Sequence, residues 1–260
     1  MVLPLGDEEK TRIVPFATYT LIALNVVMFL VQIDHGIAFT KAYSATPFEI
    51  AHGEDIRQPI VLPAGDDEAT APAREPRIIP HAPGPWPIWI TLFTSLFLHA
   101  SPLHLAGNML FLWIFGDNVE EVLGHVRYVI VYLACGLMGS LVHIAANPDS
   151  MIPTLGASGA IAGIMGAYVV WFPHNRVRVL VFRFIIRMPA VVVIGFWIIL
   201  QVWEGVGSLH QVGQEGGVAY LAHVGGAATG LLVAWLFYDR AQFIHALNQA
   251  SEGWFEGPPT

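Results

Sequence analysis

Hydrophobic residues along this chain come in long uninterrupted runs, not in the short alternating segments of soluble domains. Six stretches contain no Asp, Glu, Lys or Arg: residues 14–33, 78–116, 128–148, 150–175, 188–203 and 216–238. A helix needs about 20 apolar residues to cross the hydrocarbon core of a bilayer. Five runs reach that length, and the run 188–203 reaches it by tilting or by snorkelling of its flanking charges. The pattern predicts an all-α membrane protein with six transmembrane helices.

The positions of the basic residues predict how these helices are oriented, because Lys and Arg favour cytoplasmic loops. Eight of the twelve flank the runs on one side: Lys10, Arg12, Arg127, Arg176, Arg178, Arg183, Arg187 and Arg240. We therefore expect both termini in the cytoplasm. The chain divides into a cytoplasmic segment 1–13, a six-helix domain 14–240 with a long outer loop 34–86, and a cytoplasmic tail 241–260.

Two of the connecting segments have a distinct character. Eight prolines between Pro59 and Pro87 predict an extended, non-helical second half of the outer loop. On the other side, the four arginines of residues 176–187 predict a surface loop that touches anionic lipid headgroups. Membrane lipids are therefore expected partners.

Composition narrows the class of protein further. Hydrophobic residues make up 55% of the chain and charged residues only 12%, about half the charged fraction of soluble domains. This excludes an ordinary soluble enzyme and a disordered chain. The net charge of -8 gives no basic surface for nucleic acid, so nucleic-acid partners are excluded. The single cysteine, Cys135, excludes an internal disulfide.

Polar residues stand near the outer ends of the second, fourth and sixth runs, which all point in the same direction. In the second, Ser101 followed by Pro102 predicts a helix cap and first turn. His104 and Asn108, four residues apart, then share one face. Polar groups in a membrane are costly and functional by default, so these positions are candidates for a site.

Ser158 and His223 are predicted to lie at similar depth in neighbouring helices. Ser158 falls in the first turn of the helix that residues 155–159 open, where free backbone N–H groups favour a developing negative charge. His223 lies about one turn into the sixth helix, which is predicted to start near Ala219. Small residues line both helices and permit close approach: Gly159, Gly163 and Gly166 on one, Ala222, Gly226 and Gly230 on the other. Spacing alone leaves open that these stripes only pack helices, with Ser158 a small interfacial residue.

The sequence resembles the rhomboid intramembrane serine proteases, and the resemblance covers nearly the whole chain. The motifs that carry it stand in chain order: Thr94-Ser95-Leu96-Phe97-Leu98-His99 with His104 and Asn108, Gly116 with Val119-Glu120 and Gly124, Gly156-Ala157-Ser158-Gly159, and Ala222-His223 with Gly226. The resemblance implies a six-helix rhomboid-like bundle. It also implies hydrolysis of peptide bonds in or near the transmembrane segments of other proteins, which would be the substrates.

The resemblance also implies a role for each candidate site residue. Ser158 corresponds to the nucleophile and His223 to the general base and acid of a dyad without aspartate. The oxyanion donors correspond to His104, Asn108 and the backbone N–H of Ser158. Gly156 acts through its backbone, and His99 has a supporting role. No metal and no cofactor are implied.

One position departs from the family pattern. Many members carry a tyrosine four residues after the nucleophile, stacked on the catalytic histidine, where this chain has Ala162. The ring of His223 must then be oriented by another residue, and Trp203 and Tyr220 are the candidates. In the outer loop, Trp86 and Trp89 stand in place of a Trp-Arg pair found in some members.

The chain lacks the motifs of two other classes of intramembrane protease. A zinc protease requires His-Glu-x-x-His, which none of the eleven histidines forms. A presenilin-type aspartyl protease requires Gly-x-Gly-Asp, whereas Gly116-Asp117 is preceded by Ile114. The alternative that stays open is a catalytically inactive rhomboid-like protein that binds transmembrane helices. In either case we expect a multi-pass protein of the cell membrane, of unspecified oligomeric state.

Overall fold

The computed structural model describes residues 2–8, 11–62, 77–208 and 219–255. Within these ranges the chain forms nine α-helices: α1 (Phe16–Tyr43), α2 (Pro47–His52), α3 (Thr91–Thr94), α4 (Pro102–Leu123), α5 (His125–Ala146), α6 (Ser158–Trp171), α7 (Ala190–Ser208), α8 (Tyr220–Leu236) and α9 (Tyr238–Phe255). The same ranges contain five strands: β1 (Val2–Asp7), β2 (Ile60–Leu62), β3 (Arg77–Ile79), β4 (Arg176–Val181) and β5 (Phe184–Pro189). Lys10, residues 63–76 of the outer loop and the end of the tail, 256–260, lie outside the described residues.

The protein is a mostly helical membrane protein. Three helices of the described part are long and apolar enough to cross a bilayer, namely α1, α5 and α7. The number rises to five if each bent helix pair forms one span: residues Ile88–Phe97 with α4, bent by 76°, and α8 with the start of α9, bent by 66°. Helix α6 is apolar but has only 14 residues, or about 21 Å at 1.5 Å per residue.

The first helix runs further than its hydrophobic pattern predicts. The outer loop was expected to begin at residue 34, but α1 continues to Tyr43. Gly36 has non-helical dihedral angles (φ 78°, ψ -171°) that a glycine adopts without strain, so α1 consists of two helical segments that meet at a kink there. Gln32 Nε2 donates to Thr40 Oγ1 at 3.1 Å across the bend. In the second half of the loop, the described strands β2 and β3 are extended, as the prolines predict, and they pair antiparallel, which the sequence did not predict.

The arginine-rich segment, predicted as a surface loop, is a β-hairpin, so the mostly helical fold also contains a small sheet that the sequence did not predict. Strands β4 and β5 pair antiparallel, and β1 adds to the free edge of β4. Arg176 and Arg178 are exposed while Val177 and Val179 are fully buried. This alternation has the period of two that a strand requires, since successive side chains point to opposite faces. A salt bridge of 3.0 Å between Arg187 and Glu8 ties β5 to the segment that follows β1.

Helices α6 and α8 pack backbone against backbone, as the stripes of small residues predicted. A Cβ atom added at Gly226 would overlap the carbonyl oxygen of Gly159, and one added at Gly230 would overlap that of Gly163. Farther along, a Cβ at Gly166 would lie 2.6 Å from a carbonyl oxygen of α8. The prediction of close approach is confirmed, and no side chain separates these two helices along this line.

A buried carboxylate joins α1 to the end of α4. The side chain of Glu120 is fully buried and accepts from the backbone N–H of Ala17 at 2.9 Å and of Thr18 at 2.7 Å. It also accepts from Thr18 Oγ1 at 2.7 Å and contacts His125 Nδ1 at 2.5 Å. These bonds satisfy free N–H groups at the start of α1, which has no side-chain cap of its own.

Candidate active site

Ser158 is the first residue of α6, at the end of a loop that backbone hydrogen bonds hold in place. Gly156 N donates to Ser95 O at 2.9 Å. Thr154 and Ala45 exchange two backbone bonds of 2.8 and 3.0 Å. Gly156 has φ 130°, a backbone conformation in which any residue with a side chain would be strained. The hydroxyl of Ser158 therefore sits half-buried beside the free N–H groups of a helix start.

His223 lies against Ser158 from the neighbouring helix. Its Nε2 is 2.6 Å from Ser158 Oγ, and only 6% of the residue is exposed. Since α8 begins at Tyr220, His223 occupies the first turn. A histidine within hydrogen-bonding distance of a serine can remove the hydroxyl proton as the serine attacks a carbonyl.

The far side of the His223 ring is held by two residues of α7. Its Nδ1 lies 2.5 Å from Gln201 Oε1, and the Trp197 ring lies 5.6 Å away between centroids, tilted by 33°. Trp203, expected to orient this ring, is 77% exposed. The expectation of Trp203 or Tyr220 is therefore corrected to Trp197 and Gln201. These two residues are one helical turn apart and share a face.

Neither α7 residue was identified from the sequence, although a signal for one of them exists. Gln201 is the only amide side chain in the run 188–203, which is otherwise apolar. Polar side chains in membrane helices face the protein interior, where they find partners. That isolation could have identified Gln201 as a site residue, whereas Trp197 has no such signal among the many aromatic residues of the chain.

His104 presents a ring nitrogen to the loop before Ser158. The predicted cap is confirmed, because His104 N donates to Ser101 Oγ at 3.1 Å. Ala100 N donates to His104 Nδ1 at 3.4 Å, which leaves the ring proton on Nε2. A Cβ at Gly156 would lie 3.0 Å from that Nε2 and 3.7 Å from Ser158 Oγ. An imidazole N–H donor, a glycine backbone and the serine hydroxyl thus meet at one point.

Asn108 and His99 form the next contact outward. Asn108 Nδ2 lies 2.9 Å from His99 Nε2, and the rings of His99 and His104 are 5.1 Å apart between centroids. Gln32 accepts from His99 N at 2.9 Å and donates to His99 O at 3.1 Å, which fixes that residue to α1. The contacts of the described residues join Asn108 to His99 and not to Ser158. No group of three or more His, Cys, Asp or Glu side chains suited to a metal occurs in the described ranges.

A narrow recess of about 20 Å³, which has room for about one water molecule, opens beside the serine. Its lining includes Ser158, Gly159 and Ala222, and on the α5 side Ser140 and His143. His143 Nδ1 is buried there without a hydrogen-bond partner. The nucleophile candidate therefore borders a small, partly polar recess.

Comparison with known proteins gives consistent matches. The model of the rhomboid domain matches residues 87–240. The rhomboid protease GluP of Bacillus subtilis is 33% identical over 183 residues, which are 68% of this chain and 30% of that protein. The mitochondrial Rhomboid protein 1 of Saccharomyces cerevisiae is 31% identical over 153 residues, 56% of this chain and 41% of that protein. The chloroplastic Rhomboid-like protein 11 of Arabidopsis thaliana is 30% identical over 158 residues, 58% of this chain and 53% of that protein. The chain thus spans about a third to a half of the length of these relatives.

Proposed function

Because the chain belongs to the rhomboid family, we propose that it is an intramembrane serine endopeptidase that cuts other membrane proteins in or near their transmembrane segments. The contact of 2.6 Å between Ser158 Oγ and His223 Nε2 carries the proposal. The relative from Bacillus subtilis is named a protease, which supports the same reaction type.

The proposed reaction has two steps. Ser158 Oγ attacks the peptide carbonyl while His223 Nε2 takes its proton, and the proton then passes to the leaving amine. A water molecule then attacks the acyl-enzyme and loses a proton to His223, which passes it to Ser158 Oγ as the acid product leaves. The buried position of His223 keeps bulk water from competing for its nitrogen.

The negative oxygen formed in each step needs hydrogen-bond donors. We assign this role to His104 Nε2–H, the amide of Asn108 and the backbone N–H of Ser158. By analogy with soluble proteases, each donor contributes roughly 2.7 to 4 kcal/mol to transition-state stabilisation. Gly156 leaves the space that the oxygen needs, and His99 holds the Asn108 amide in place.

The substrate is proposed to enter from the lipid between α4 and α7, the second and fifth spans. Its helix must open before cleavage, because a hydrogen-bonded helical backbone exposes no carbonyl to the serine. The substrate residue next to the cut is proposed to be small, because the recess beside Ser158 is narrow, with a volume of about 20 Å³. In the proposed topology the domain 14–240 has six spans, and α6 is the fourth. Both termini are cytoplasmic and the loop 34–86 is outside. The membrane is proposed to be the cell membrane.

Labelling with a fluorophosphonate serine probe tests the proposal without a known substrate. We expect the wild-type protein to be labelled and Ser158→Ala and His223→Ala not to be. The exposed residue His174 provides a matched control, and His174→Ala should label like the wild type. Cleavage of a reconstituted transmembrane substrate should follow the same pattern.

Two outcomes would count against the proposal. Labelling that survives in Ser158→Ala would place the reactive serine elsewhere. A folded wild-type protein that takes up no probe would favour the alternative function, a catalytically inactive rhomboid-like protein that binds transmembrane helices. Ala162, which stands where many family members have tyrosine, would then be the first position to restore.

A further inference from the structure

The His223 ring is held from both sides, and only one of its partners belongs to the dyad. We propose that Gln201 is the third member of a Ser158–His223–Gln201 triad, a positioning residue whose Oε1 accepts the Nδ1 proton of His223. The inference rests on the proposed function, since it concerns how that dyad is kept ready to react.

The tautomer of His223 decides whether it can act as a base. A neutral imidazole carries one proton, on Nδ1 or on Nε2. Nε2 must be free of it to accept the proton of Ser158 Oγ, 2.6 Å away. The proton must then lie on Nδ1, where Gln201 Oε1 stands 2.5 Å away as an acceptor. With its amide reversed, Gln201 would donate to Nδ1 and leave Nε2 protonated, facing the serine as a competing donor.

Among the described residues, no other group can take the place of Gln201. In the described part of the chain the two ring nitrogens of His223 have two hydrogen-bond partners, Ser158 and Gln201. With 6% of the residue exposed, water has little access to replace either. A buried Nδ1–H without an acceptor would lose a hydrogen bond. The ring would then be more stable if it turned over or took the other tautomer.

Trp197 restricts the ring in the remaining direction. Its indole lies one helical turn before Gln201 and covers a face of the imidazole at 5.6 Å between centroids. Gln201 acts in the plane of the ring and Trp197 acts on its face. Both come from α7, so this one helix sets the orientation of His223.

The test compares Gln201→Leu, which keeps the approximate size but removes the acceptor, with Gln201→Glu, which keeps an acceptor oxygen. We expect Gln201→Leu to slow fluorophosphonate labelling by about tenfold or more, since correct base catalysis contributes about 10² to 10⁴ in rate. Gln201→Glu should stay within about threefold of the wild type, because it restores the acceptor. Ile199→Ala, at a 67% exposed position of α7, serves as the control and should label at the wild-type rate.

Nuclear magnetic resonance of protein with ¹⁵N-labelled histidine reads the tautomer directly, with His223→Ala identifying the signal. The Nδ1–H form should dominate in the wild type and in Gln201→Glu and be lost in Gln201→Leu. Wild-type labelling by Gln201→Leu, or labelling by Gln201→Glu as slow as that of Gln201→Leu, would overturn the proposal. If the wild-type protein itself is not labelled, the proposed function fails. The tautomer signal then decides the role of Gln201 by itself: a wild-type Nδ1–H signal that Gln201→Leu removes supports it, and an unchanged signal overturns it.

Discussion

A methyl group added at Gly139 would test whether backbone packing sets the geometry of the dyad. Gly139 lies on α5 and faces α8. A Cβ there would be 2.5 Å from the carbonyl oxygen of Ala222, whereas ordinary contact begins at 3.4 Å. Gly139→Ala therefore requires α8 to move by about 1 Å. Ala222 immediately precedes His223, so the displacement passes directly to the base.

The size of the expected effect follows from that displacement. A shift of about 1 Å in a catalytic group can cost on the order of 10²-fold in rate. The hydrogen bond of 2.6 Å between Ser158 and His223 would exceed the normal range for such bonds. Overpacking of this kind also costs about 1 to 3 kcal/mol of stability. We expect Gly139→Ala to lose about 10²-fold in cleavage and in probe labelling, with a modest fall in melting temperature.

Gly195→Ala is the matched control for this substitution. Gly195 lies in α7, and a Cβ there meets nothing within 4 Å, so the same chemical change should leave the rate unaltered. Wild-type cleavage and stability in Gly139→Ala would show that α8 is not held by this contact, and the link between helix packing and dyad geometry would be refuted.

Two further predictions concern the loop before the serine and the outer segment. Gly156→Ala should abolish most cleavage while the protein stays folded. The backbone conformation at φ 130° is strained for alanine, and the new Cβ would lie 2.9 Å from His104 Cε1. Full activity in this variant would show that Gly156 is not part of the site. Burial raises the pKa of Glu49 above its ordinary value of 4.5, so the folded state binds its proton more tightly and stability falls as pH rises through the raised pKa. Glu49→Gln keeps the acceptor for Ile56 N and should raise the melting temperature at pH 7 but not at pH 4. The control, Glu54→Gln at an exposed position, should leave the melting temperature unchanged at both pH values. An equal shift for Glu49→Gln at pH 7 and pH 4 would show that the raised pKa of Glu49 is not the cause.

The parts of the site that local rules govern could be predicted from the sequence. Ser101 before Pro102 specifies a helix start, and the structure places the cap there. The glycines of α6 and α8 repeat at intervals that bring backbones together, and the structure shows that approach at Gly226 and Gly230. Both patterns involve residues within one or two turns of the same helix, so they can be recognised from the sequence alone.

Features that depend on a third element could not be predicted in the same way. The arginine-rich segment alternates as a strand does, but β4 is completed by β1, which is about 170 residues away in the chain. Gln201 contacts His223 only because α7 packs beside α8, and the sequence gives no register between these two helices. The helical segment of α1 beyond the kink at Gly36 could not be predicted from hydrophobicity, because a charged residue such as Asp34 is typical of the end of a membrane span.

The distance between the two dyad residues and the direction in which the histidine ring faces are set by different parts of the molecule. In the wild-type protein the distance is set by backbone contact between α6 and α8. The ring direction depends on α7, of which only 17% is buried within the protein. If Ser158 and His223 act as proposed, a small movement of this one largely exposed helix would stop catalysis while the bundle stays folded and the serine stays beside the histidine. A melting curve, which reports the bundle, would overstate the range of temperatures and lipid thicknesses over which such a protein works.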